Sequence, residues 1–228
     1  MKRQTGAIEL LDGPLNPATL AGNLDDLERF NRRGGDLCWR LMRALAPSSE
    51  TVSLLDVGTG SADIPRDLLR RARSSGLTLR VTATDVRPEI VEVARARSKG
   101  VQDLQICLAQ PGDLDFADGS FDVVQSSLLL HHLEPGAATV MLREMGRVAR
   151  AGVIVNDLDR RRHWWVMAKL LGTFATRNAY TRNDAPLSVA RAYRPDELSA
   201  LARKAGLREV KRIWARPPYR YGLALVAS

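Results

Sequence analysis

Apolar positions along the chain change period, and each change marks a boundary. Between residues 17 and 46 they recur at helical spacing: Leu20, Leu24, Leu27 and Phe30, then Leu37, Trp39, Leu41, Met42 and Leu45. Gly34-Gly35 interrupts the run, so the pattern predicts two helices with a break between them. Pro47-Ser48-Ser49 closes this stretch, and residues 1–47 read as an N-terminal helical cover.

From residue 51 onward, short apolar runs alternate with amphipathic ones. Thr51–Val57, Leu77–Thr84, Leu104–Ala109, Phe121–Ser126 and Gly152–Asn156 read as strands. Ile64–Arg73, Pro88–Arg97, Ala137–Ala149 and Pro195–Ala205 read as helices, the last opened by Pro195-Asp196-Glu197 and closed by Gly206. Ile213-Trp214 and Leu223–Ala227 are two late strands with little more than Pro217-Pro218 between them, which predicts an antiparallel hairpin at one edge. Strands alternating with helices mean an α/β fold: a Rossmann-like, mostly parallel sheet of seven strands with helices on both faces. Residues 158–194 do not fit the alternation and read as a lid-like insertion in a domain spanning 48–228.

Composition narrows the class. A chain of 228 residues suits one large domain with an extension. The two cysteines, Cys38 and Cys107, exclude a disulfide scaffold and a Cys-only zinc site. Met1-Lys2-Arg3-Gln4-Thr5 leads into no apolar segment, and no run is long and apolar enough to span a bilayer, so a cytoplasmic protein is expected. The net charge of +8 raises the prospect of an anionic partner, nucleic acid or a membrane surface. Many of its arginines, such as Arg70, Arg71, Arg73, Arg95 and Arg97, fall on helix faces where solvation is explanation enough.

Chemistry concentrates first in Leu54-Leu55-Asp56-Val57-Gly58-Thr59-Gly60-Ser61-Ala62-Asp63, a buried strand running into a glycine-rich turn that opens a helix. Gly58 and Gly60 permit backbone angles and a close approach that a side chain would block. Asp85 ends the next strand at the distance expected of an acid that grips ribose hydroxyls. A nucleoside ligand follows. Asp63 sits where a pyrophosphate needs bare N–H groups, which argues against a dinucleotide, and Asp56 suits a cationic amino-acid ligand instead.

These residues resemble the class I S-adenosylmethionine-dependent methyltransferases. Asp56-Val57-Gly58-Thr59-Gly60-Ser61-Ala62 is similar to that family's D/E-x-G-x-G-x-G motif, with Ala62 for the last glycine. Phe116-Ala117-Asp118-Gly119-Ser120-Phe121-Asp122-Val123-Val124 is similar to the segment leading into its fourth strand. The resemblance implies S-adenosylmethionine as cofactor, held by Asp56, Gly58, Thr59, Gly60, Asp85 and Ser126. Either Gln110 or Asp113 would take the adenine amino group.

On the acceptor side the resemblance points to Leu130-His131-His132-Leu133, where His131 or His132 could take a proton from an acceptor hydroxyl. Asn156-Asp157, read as following the fifth strand, either line the site or cap the next helix. The insertion begins Arg160-Arg161-Arg162-His163 and continues with Trp164, Trp165, Val166, Met167, Leu170, Leu171 and Phe174. This composition suits a lid over an apolar acceptor, a helix lying in an anionic membrane interface, or a core-packed helix with a solvated basic end. Trp164, Arg182 and Arg191 are taken with Asn156 and Asp157 as acceptor-binding. No metal is expected, because the three histidines lack a ligand spacing such as H-E-x-x-H.

Val155-Asn156-Asp157-Leu158, Asn183–Tyr193 and Leu24–Arg32 further resemble bacterial methyltransferases that accompany type III polyketide synthases. That implies a hydroxyl of a lipophilic phenol or polyketide-type small molecule as acceptor. Two other readings stand beside it. RNA as acceptor is motivated by charge but lacks an N-P-P-Y-like motif and a recognisable RNA module. A non-catalytic binding subunit on the same scaffold is opposed by the intact Gly58, Gly60 and Asp85.

Overall fold

The protein was analysed as a computed structural model, which describes residues 1–13, 16–47 and 51–228. Strands β1 (Thr51–Val57), β2 (Thr78–Asp85), β3 (Leu104–Leu108), β4 (Phe121–Ser127), β5 (Ala149–Leu158), β6 (Leu207–Trp214) and β7 (Arg220–Ala227) form one sheet in the order β3-β2-β1-β4-β5-β7-β6. The first five are mutually parallel, and β7 is antiparallel to both β5 and β6. The seven-stranded, mostly parallel sheet with its C-terminal hairpin is thus the expected fold. Helix α1 (Pro17–Leu45) and α2 (Asp63–Ser74) cover one face through Leu41, Met42, Ile64 and Leu68 packed on Val52, Leu54 and Val81. The other face packs α4 (Pro135–Val148) and α7 (Pro195–Lys204) through Met141, Leu142, Leu198 and Leu201 onto Leu55, Val124 and Leu223. Helix α3 (Pro88–Arg97) seats Val91 and Ala94 on Ala83 and Ile106.

The expected break at Gly34-Gly35 does not occur. Helix α1 runs unbroken for 29 residues, N-capped by Asn16, whose side chain accepts the Thr19 N–H. The two glycines serve contact rather than a turn. A Cβ on Gly34 would lie 2.6 Å from Arg220 Nη1, and one on Gly35 would run into the Asp67 carboxylate. Glycine costs about 1 kcal/mol of helix propensity at each position, which close packing onto α2 and β7 offsets. Ser48 and Ser49 of the expected linker lie outside the described residues.

A second correction concerns β5, which is longer at both ends than Gly152–Asn156. Asn156 and Asp157 are the two strand residues before its end at Leu158, not loop residues after it. Successive strand side chains point to opposite faces, so these two neighbours cannot line one site together. The insertion folds as two helices, α5 (Arg162–Phe174) and α6 (Ala179–Arg191). Helix α5 buries only Gly172, so it is not the core-packed helix that its aromatic content allowed. No helix among the described residues is long and apolar enough to cross a membrane.

Gly152 sits where β5 meets β7, and a Cβ there would approach the Leu225 carbonyl oxygen to 2.6 Å. That neighbour is backbone in mid-sheet and cannot swing aside. Gly152→Ala should therefore destabilise the fold by about 1–3 kcal/mol, read as a lower urea midpoint with an unchanged m value.

Candidate active site

The glycine loop is built by the end of β1 and held by the end of β2. The N–H groups of Gly58 and Thr59 donate to the Thr84 carbonyl at 2.9 and 2.8 Å. Gly58 has φ 73°, and a Cβ on it would strike the Leu129 side chain. Glycine is therefore required there twice, by conformation and by contact. Gly60 has φ 57° with open space around its Cα, so conformation alone demands glycine at that position. Ala62, at φ 58°, enters α2 in the left-handed region where glycine is unstrained, which explains the family's preference at the position.

Asp85 accepts the Gly60 N–H at 3.1 Å and the Arg87 N–H at 3.2 Å. Burial pushes its carboxyl above the ordinary range, and each of its oxygens keeps a lone pair for ribose hydroxyls. Asp56 is buried and accepts from Gln125 Nε2 at 2.9 Å; burial raises its carboxyl to about 6. Thr59 is buried within the loop, and Ser126 is buried beside it on β4, its hydroxyl without a hydrogen-bond partner. A polar ligand with a cationic end would satisfy these groups, so the residues present fit S-adenosylmethionine. Gln110 and Asp113 are both exposed and bridge each other just beyond β3, with the Asp113 N–H donating to the Gln110 carbonyl at 3.2 Å. Both thus lie just past β3, on the same side of the sheet end as Asp85. Two residues there escaped sequence reasoning. Val86 and Leu108 are 39% and 55% exposed at the Asp85 corner, an apolar edge against which a flat base can lie. Val86 directly follows the ribose acid in the sequence, whereas Leu108 reaches the corner only through the pairing of β3 with β2.

His131 and His132 lie on a single 3-10 turn, Leu130–His132, after β4. Asp157, on the β5 face turned toward this turn, accepts from the His131 backbone at 3.2 Å and bonds its Nδ1 at 2.7 Å. Burial acts to raise the Asp157 carboxyl, but His131 beside it holds it below the ordinary range. His132 Nδ1 bonds Asp12 at 2.9 Å. Burial opposes ionisation of Asp12 too, yet the bond from His132 and Arg191 brings it down to about 2. Both Nε2 atoms are left facing Glu9, at 4.0 Å from His131 and 3.9 Å from His132.

Glu9 and Asp12 come from the N-terminal segment, where sequence reasoning placed no chemistry. The segment is strapped down by α6: Asp184 accepts the N–H groups of Leu10 and Leu11, and Ser188 donates to Glu9 at 2.7 Å. Arg191 reaches Asp12 at 3.2 Å, Glu9 at 3.4 Å and the His132 carbonyl at 2.6 Å. Burial pushes the Glu9 carboxyl up to about 7. Glu9, His131 and His132 also offer three potential metal-ligand atoms within 4.8 Å of one another. The expectation of no metal rested on spacing along the chain, and these three side chains come from segments far apart in it.

Of the expected acceptor residues, the fold brings Asp157 and Arg191 to the histidines and leaves three elsewhere. Asn156 faces α1, its Nδ2 3.4 Å from the Gly34 carbonyl and from Ser127 Oγ. Trp164 is half-buried against Tyr219 and His163. Arg182 is exposed on α6, where its backbone meets Gly172 of α5.

The methyltransferase domain family matches residues 54–152. The ubiquinone/menaquinone biosynthesis C-methyltransferase UbiE of Rickettsia bellii is 33% identical over 73 residues, 31% of this chain and 29% of that protein. Its Geotalea daltonii counterpart is 29% identical over 163 residues, 68% of this chain and 66% of that protein. The chain thus spans under a third of the first of these relatives. The crystal structure of an S-adenosylmethionine-dependent methyltransferase from Aquifex aeolicus superposes with a TM-score of 0.66 at 19% identity, covering 94% of this chain and all of that one, which shows the shared fold. The glycine loop, the ribose acid and the central strands thus lie within a stretch, residues 54–152, that matches the methyltransferase domain family.

Proposed function

We propose that the protein methylates a hydroxyl oxygen of a lipophilic small molecule, a phenol or polyketide-type compound. The observation that carries this reading is the buried His131–Asp157 bond. Asp157 fixes the ring through Nδ1 and leaves Nε2 as the proton acceptor. The Nε2–Glu9 gaps of 4.0 and 3.9 Å are too long for hydrogen bonds, so Glu9 does not occupy the proton-accepting nitrogens. S-adenosylmethionine supplies an activated methyl group, so the chain's own work is to orient the acceptor, exclude water and hold its proton. The relatives named for quinone biosynthesis support an aromatic, lipophilic acceptor. Their C-methylation would draw on the same phenolate, and product analysis separates methyl ether from ring-methylated product.

Helix α5 supports delivery of such an acceptor from a membrane surface. Val166, Met167, Leu170, Leu171 and Phe174 are all exposed, Phe174 at 82%. Arg161 and Arg162 precede them, and Lys169 lies over the Trp165 ring at 5.3 Å. An apolar strip edged by cations suits the interface of an anionic bilayer.

Three outcomes are expected. His131→Ala should lower kcat on a phenolic acceptor by about 10²–10⁴-fold while S-adenosylhomocysteine binding is retained, and Asp157→Asn should act in the same direction. Full-rate turnover by both variants would remove the base assignment. Cofactor affinity should depend on Asp56. Its carboxyl titrates near 6 in the free protein, and a ligand ammonium favours the ionised form, so binding weakens as pH falls through that value. Calorimetry should show about tenfold weaker S-adenosylhomocysteine binding at pH 5 than at pH 7, a slope absent in Asp56→Asn. Finally, the protein should sediment with phosphatidylglycerol vesicles in a salt-sensitive manner, and Leu170→Ser with Phe174→Ser should abolish this.

A further inference from the structure

Arg220 opens β7 opposite Leu158, at the sheet end where β1, β4 and β5 terminate. It is 1% exposed, among the most buried large side chains of the protein. Its Nη1 donates to Asn31 Oδ1 at 3.0 Å. Nε and Nη2 are buried and have no hydrogen-bond partner, and no carboxylate among the described residues pairs with the guanidinium. A guanidinium stays charged at any pH the protein meets, so burial cannot neutralise it. An unpaired buried charge costs several kcal/mol. Nothing in the sheet or in α1 repays that cost: Asn31 offers one neutral acceptor, and Gly34 offers no side chain.

The two empty donors are not an arbitrary pair. Nε–H and Nη2–H lie along one edge of the guanidinium and point in parallel, matching the two oxygens of a carboxylate. Gly34 packs on the Nη1 side, where a Cβ would lie 2.6 Å from Nη1 and 3.1 Å from Cζ, so the Nε/Nη2 edge is not the one that α1 closes. Asn156 Oδ1 is likewise buried without a partner. Asn31 also bonds Asp63 in the first turn of α2, so the guanidinium stands between the glycine loop and the β4–β5 end.

We propose that Arg220 is the receptor for a carboxylate of a bound ligand, gripped side-on through Nε and Nη2. The site lies where two carboxylates can arrive, the methionine end of the donor or an acid group on the acceptor. It rests on the methyl-transfer reading only for which ligands visit it.

The test uses Arg220→Met, which keeps length and apolar bulk, and Arg220→Lys, which keeps charge without the fork. Three quantities are measured: the thermal midpoint of ligand-free protein, S-adenosylhomocysteine affinity, and stabilisation by benzoate against benzamide with S-adenosylhomocysteine present. Ligand-free Arg220→Met should melt no lower than wild type, because it sheds an unpaired buried charge. If the donor's carboxylate occupies the fork, both variants bind S-adenosylhomocysteine at least about tenfold more weakly. If an acceptor acid occupies it, donor affinity is unchanged, and benzoate but not benzamide raises the wild-type midpoint, an effect both variants lose. Unchanged donor affinity in both variants, together with equal responses to benzoate and benzamide in wild type, overturns the proposal. So does an Arg220→Met midpoint well below wild type that Arg220→Lys restores, since the guanidinium would then be a satisfied structural cation. Failure of wild type itself to bind S-adenosylhomocysteine would instead remove the cofactor reading.

Discussion

The buried bond between Asp157 and His131 is the interaction on which the rest of the site depends. Asp157 is the last residue but one of β5, and His131 belongs to the turn after β4. One carboxylate takes both the backbone N–H and the ring Nδ1 of that residue. Locking the turn places Leu129 over Gly58, so the cofactor loop and the histidine turn are packed as one piece. It also aims the His131 Nε2 toward Glu9, as Asp12 does for His132, where the N-terminal segment packs. A carboxylate this buried stays ionised because the imidazole and several N–H groups offset its desolvation.

Strand periodicity then divides the polar groups of β5. Asp157 serves the face with the histidines, Glu9 and Arg191. Asn156, one residue earlier, serves the face with Ser127, Gly34 and Arg220. The two clusters are electrostatically unlike. On the first, carboxylates meet imidazoles and a guanidinium, which suits handling a proton. On the second, a guanidinium stands without a carboxylate, which suits gripping an anion. A single residue step along an extended strand thus separates a histidine–carboxylate cluster from a guanidinium without a carboxylate partner.

The net charge of +8 also takes on a definite distribution. Arg66 and Arg97 pair with Glu28, Arg71 with Asp67 and Asp36, Arg147 with Glu144 and Asp118, and Arg160 with Glu197. Such pairs are mostly at the surface and add little stability individually. They do mean that the arginine-rich helices spend their charge within the protein. On α5, by contrast, Arg162 and Lys169 stand beside exposed apolar residues.

The order of strands and helices, the glycine loop and the ribose acid were legible in the sequence, because each is a local pattern. Period and turn chemistry declare themselves within about ten residues, and strands alternating with helices leave few ways to assemble a sheet. Ser126, Asp56 and Asp85 could be placed at its cofactor end on that basis. What only the tertiary structure decided depends on contacts between distant segments. Gly34-Gly35 looked like a break because local propensity disfavours glycine in a helix, and packing against Arg220 and Asp67 overrode it. Glu9 reached the histidines because α6 holds the N-terminal segment across them, and no spacing along the chain announces such a contact. Asn156 and Asp157 parted because β5 continues through both. The chain's own order therefore determined the scaffold and the donor site, while burial and long-range hydrogen bonding decided which polar side chains meet there.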